Sequence, residues 1–141
     1  MTNFHINVLP TAISSAIFFG IGGVWFSPGV FYGKWLSLIG KTEAELQRDF
    51  SYVPLAWGAL TAVVVNVALA YLLGRLETRS AVQGLATGGL IWASFVATIV
   101  LNSYLFEGRP VRLFLLTMGY PLVGLLVCGA ILGKWAIAVA N

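Results

Sequence analysis

Four stretches of this chain, residues 1–33, 50–74, 80–106 and 113–133, contain no Asp, Glu, Lys or Arg. A helix rises ~1.5 Å per residue and the hydrocarbon layer of a bilayer is ~30 Å thick, so about 20 apolar residues cross it and each stretch is long enough. The composition agrees: 59% of the residues are hydrophobic and 9% charged, where soluble domains carry about a quarter charged. A soluble fold of 141 residues could not cover such a core. The expected fold is all-α, one transmembrane domain over residues 1–141, a four-helix bundle with spans of about 7–26, 54–74, 81–106 and 111–133. An interfacial segment at 29–50 separates the first two.

The net charge of +3 is spread over the loops rather than gathered into a stripe, which argues against a nucleic acid partner and for contact with membrane lipid headgroups. Cys128 is the sole cysteine and falls inside the last apolar run, so neither an intramolecular disulfide nor a multi-cysteine metal site is expected. The N-terminal run has no basic residue before it and no small-x-small cleavage site near Trp25, and it reads as a retained first span.

Small residues recur every fourth position, the spacing that lets helices approach closely in lipid. Ala12, Ala16 and Gly20 form such a line in the first span, Gly58, Ala62, Asn66, Ala70 and Gly74 in the second, and Gly84 with Gly88 in the third. Asn66 places one amide at the centre of its ridge, and the third span collects Thr87, Ser94, Thr98 and Asn102 within a narrow arc at ~100° per residue. The short hinge 75–80 predicts that spans two and three are antiparallel neighbours. Ser27-Pro28-Gly29 ends the first span, and Phe31, Tyr32, Lys34 and Trp35 have the aromatic and basic character of a membrane surface. Thr42 and Glu45 fit a capping box at the start of a short helix. Pro110 suits the first turn of the fourth helix, and Gly119, Tyr120, Pro121 and Gly124 predict a kink within it.

No Asp, Glu, Lys or Arg lies in the interior of any span, although proton-coupled transport needs a titratable group near the midplane. The lone His5 reads as an interfacial residue; two-histidine haem ligation is excluded by count, and no carboxylate pair or Ser-His pair suggests hydrolysis. The expectation is therefore no enzyme, no metal and no cofactor. Two groups of residues remain. Asn66, Ser94, Thr98 and Asn102 either bond across helices or line a polar path. Glu107, Arg109 and Arg112 either make a surface ion pair or, with the first-turn N–H groups of the fourth helix, bind an anion such as a lipid phosphate. Helix packing is assigned to Gly58, Ala62, Gly84 and Gly88.

Two blocks of sequence carry a resemblance. The first is Trp25-Phe26-Ser27-Pro28 with Phe31, Gly33 and Trp35, followed by Gly40, Thr42, Glu43, Glu45 and Leu46. The second runs from Phe95-Val96-Ala97-Thr98 through Asn102, Tyr104-Leu105-Phe106-Glu107-Gly108-Arg109-Pro110 and Gly119-Tyr120 to Gly129-Ala130-Ile131-Leu132-Gly133 with Trp135. Together they make the chain similar to a bacterial four-span membrane family, domain of unknown function 1761. The resemblance implies the fold, the membrane class and a bacterial inner membrane, and it brings no activity. Phe26 and Pro121 stand where relatives often have Tyr and His.

The expected role is a structural or accessory subunit assembling through the Gly and Ala ridges, as a homo-oligomer or with another membrane protein. The alternative is a small oligomeric permease or channel with a polar path lined by the third span. Lys34, Lys41, Arg48, Arg109 and Arg112 fall on one side of the membrane against Arg75, Arg79 and Lys134 on the other, which predicts both termini outside.

Overall fold

The computed structural model describes residues 6–135, and every regular element in them is helical. In chain order these are α1 (Val8–Trp25), α2 (Tyr32–Ile39), α3 (Glu43–Arg48), α4 (Val53–Arg75), α5 (Ala81–Ile91), a π-helical turn (Trp92–Ala97), α6 (Thr98–Phe106) and α7 (Val111–Trp135). Four helices are long and apolar enough to cross a membrane: α1, α4, α7, and α5 to α6 as one rod through the π turn. The chain is a multi-pass membrane protein whose outer surface is dressed in Leu, Val, Ile and aromatic side chains, among them Val64, Leu90, Phe95 and Ile99.

The bundle is organised around α7, which packs on α1, α4 and α5. Glycine makes this possible, because helices in lipid are held by close packing rather than by escape from water. A Cβ on Gly84 would strike the carbonyl of Gly129, and one on Gly88 the carbonyl of Leu125, so at these points α5 and α7 meet backbone to backbone. Gly133 faces the Ser80 carbonyl in the same way, with 2.7 Å to a built Cβ. On the other side of α7, glycine forms notches for aromatic knobs from α1: Phe18 fills the one at Gly124, and the Trp25 ring the one at Gly119. Spans two and three do touch, as the short hinge predicts, but α5 finds its backbone partner in α7, and α4 lies chiefly against α1 and α7.

α1 stops at Trp25, where Ser27, Pro28 and Gly29 cannot continue the helix, and the free amides close as turns: Phe31 N–H donates to the Trp25 carbonyl and Tyr32 N–H to that of Ser27. α2 then packs on the side of α7 rather than standing apart from the bundle. Gly40 ends α2 with φ 69°, and Gly108 turns the chain between α6 and α7 with φ 66°, both in the left-handed region that glycine enters without penalty. The capping box at α3 forms, with Glu45 N–H donating to the Thr42 hydroxyl and Thr42 N–H to the Glu45 carboxylate at 2.8 Å. The Thr42 N–H and, after it, the Thr42 hydroxyl donate to the Glu45 carboxylate and lower its pKa from the ordinary value.

Candidate functional site

Two arrangements in the described residues go beyond packing. The first is a polar junction where α1, α4 and α7 meet. The buried face of α1 is made of hydroxyls, Thr11, Ser14 and Ser15, ahead of Phe18. Thr11 and Ser15 donate to the carbonyls of Asn7 and Thr11, each one turn back. Ser14 does not: its Oγ is fully enclosed and has no partner. Opposite it on α4, Asn66 is also fully buried; its amide N–H donates to the Ala62 carbonyl at 2.9 Å and its Oδ1 is unpaired. From α7 the Cys128 thiol donates to the Ser14 carbonyl at 3.2 Å, and the Asn66 side chain lies against the same sulfur. Asn66 thus bonds the carbonyl one turn back on its own helix and also meets Cys128 of α7.

The second arrangement is a layer of interrupted backbone. At ~1.5 Å per residue, Leu116 to Pro121 lie roughly 8–15 Å along α7 from Val111. Pro121 has no N–H, so the Thr117 carbonyl loses its usual donor. Two indoles bracket that residue: Trp25 N–H donates to the Leu116 carbonyl at 2.9 Å and Trp92 N–H to that of Met118 at 3.0 Å. Trp25 is the last residue of α1, and Trp92 opens the π turn, so a chain break, a π turn and a proline face one another. Aromatic rings fill the layer: Trp25 on Phe31 at 4.7 Å, Phe26 on Trp35 at 5.7 Å, and Tyr120 edge-on to both Phe18 and Phe26. The residues that carry the family resemblance near Trp25 and near Tyr120, far apart in sequence, come together here.

The remaining candidates lie on the outside. Ser94, Thr98 and Asn102 are exposed on the outer side of the third span, and Thr98 donates to the Ser94 carbonyl of its own helix. Tyr104, further along the same rod, turns to α7 and shares a hydrogen bond with Thr117 at 3.2 Å. Arg109 pairs with Glu107 at 2.6 Å and sits over the Tyr104 ring at 5.3 Å, whereas Arg112 is exposed and has no ion pair among the described residues. Gly58 packs against Phe19, and Ala62 is buried beside Asn66. The first-span line is different: Ala12, Ala16 and Gly20 face outward, and a Cβ on Gly20 would meet nothing. A groove of ≈ 450 Å³ runs along it, walled by Ala12, Ala16 and Phe19 of α1 and Ala59, Val63 and Val67 of α4. No three His, Cys, Asp or Glu side chains converge among the described residues; His5 lies outside them.

Sequence reasoning missed Ser14, Trp92 and the central place of Cys128. The adjacent Ser14-Ser15 pair in an apolar run was the one available signal for the hydroxyl face, while an indole reaching a carbonyl 26 positions away leaves no local pattern. No curated protein and no solved structure matches the chain. The family model described as Protein of unknown function (DUF1761) matches residues 9–133, and the chain belongs to that family.

Proposed function

We propose that this protein is a small structural or accessory subunit of a bacterial inner membrane, non-catalytic, which joins other membrane helices through its first span. The observation that carries this reading is the different fate of the small-residue ridges. Gly84 and Gly88 are closed against α7, and Ala62 and Asn66 are buried, so those ridges hold the chain to itself. Ala12, Ala16 and Gly20 are left open beside the α1–α4 groove, where another helix can come close without displacing a side chain of this one. A second copy or a larger membrane protein is the partner in this reading, with lipid filling the rest of the surface.

The test is Ala16→Leu with Gly20→Leu, both on the outer surface. The particle mass in mild detergent, and cross-linking in native membranes, should fall to that of one chain while the melting temperature is unchanged. An assembly that survives the pair of leucines would refute the role given to this ridge. A second reading, a permease whose path lies between copies, draws support from the outward placement of Ser94, Thr98 and Asn102. It requires that Asn102→Leu abolish flux in reconstituted vesicles without altering assembly.

A further inference from the structure

The polar junction contains two groups that the protein itself leaves unanswered. Ser14 Oγ and Asn66 Oδ1 each have no partner, and both residues are completely enclosed. In the middle of an apolar bundle no bulk solvent is at hand, and an unmet buried hydroxyl or amide oxygen is destabilising. Both residues meet one side chain: the Cys128 thiol, which donates to the Ser14 backbone carbonyl and lies against the Asn66 side chain. Ser14, Ala62 and Cys128 are small, buried residues, one on each of α1, α4 and α7.

We propose that this junction holds one water molecule, which donates to Asn66 Oδ1 and accepts the Ser14 hydroxyl beside the Cys128 thiol, joining α1, α4 and α7. Water is the ligand whose chemistry matches these two groups: Asn66 Oδ1 can only accept, the Ser14 hydroxyl can donate, and buried waters ordinarily have about three polar neighbours. The Cys128 sulfur is the third. Thr11, one turn back, extends the hydroxyl face from this point toward the Asn7 end of α1.

The sole cysteine makes the site readable in the full-length protein, because its S–H infrared stretch is a single isolated band. On transfer into D2O in lipid nanodiscs, the band should be lost ahead of the buried α7 amides around Leu125 to Leu132, since a thiol that touches exchanging water takes up deuterium without opening of the helix. Ser14→Ala provides the second readout. If the hydroxyl holds a water, alanine lowers the melting temperature by a few degrees; if the hydroxyl is an orphan in a dry core, alanine removes it and raises or preserves that temperature. The proposal stands on early loss of the band together with destabilisation. A band that outlasts those amides, or a Ser14→Ala protein at least as stable as wild type, overturns it.

Discussion

At Glu77 the backbone takes φ 49°, the only positive φ at a non-glycine residue among those described. The position follows the end of α4, where Glu77 N–H reaches the Gly74 carbonyl and Thr78 N–H reaches that of Leu73, a closure that requires a left-handed residue between them. Glycine takes that conformation freely and glutamate does not. The Glu77 carboxylate makes one long, exposed contact with Arg79 at 3.8 Å, which offers little in return. Glu77→Gly should therefore stabilise the protein by about 1 kcal/mol, read as a higher melting temperature in detergent with an unchanged helix content. This strain was invisible in the sequence, since Arg75-Leu76-Glu77-Thr78 reads as an ordinary polar hinge and only the observed turn assigns the sign of φ.

Between elements, glycine and tryptophan hold α7 in two different ways, and the two should fail differently. Gly88→Ala puts a methyl group into the Leu125 carbonyl, where both sides of the contact are helix backbone and neither can turn aside. A loss on the order of 3 kcal/mol, with α5 released from α7, is expected. Trp92→Phe keeps an aromatic ring while removing the N–H bond to Met118 and the second ring of the indole, so the loss should be about 1–2 kcal/mol. Thermal unfolding of the two variants side by side is the measurement; equal losses would mean that the glycine contact is not rigid. The spans themselves were legible because lipid demands long uncharged runs, and the ridges because a four-residue spacing marks one helix face. Which ridge meets which was not, since Gly84 and Ala12 look alike in sequence and only the fold closes one and leaves the other open. The polar arc of the third span was legible as an arc but not as an outer face, because a π turn within the rod changes the phase that a uniform helix would keep.

For the molecule as a whole, orientation in the membrane rests on eight basic groups. Lys34, Lys41, Arg48, Arg109 and Arg112 belong to the end that carries α2, α3 and the α6–α7 turn; Arg75, Arg79 and Lys134 belong to the other. Basic residues in short loops favour the cytoplasm, so the α4–α5 hinge is predicted to face outward. In a Cys128→Ala background, Ser80→Cys should react with an impermeant thiol reagent in intact cells and Ser51→Cys should not; the reverse pattern refutes the orientation, and equal labelling means the chain inserts both ways. The hub position of α7 also carries a consequence for biosynthesis. Ribosomes make the fourth span after the three it joins, so the first and second can pair early through α1 and α4, while the third enters the bilayer with the Gly84 and Gly88 face matched to nothing. Until Leu125, Gly129 and Gly133 emerge, that face has no backbone to close against, and a nascent polypeptide stalled at the Glu107–Pro110 turn would show lipid the surface that the finished protein hides.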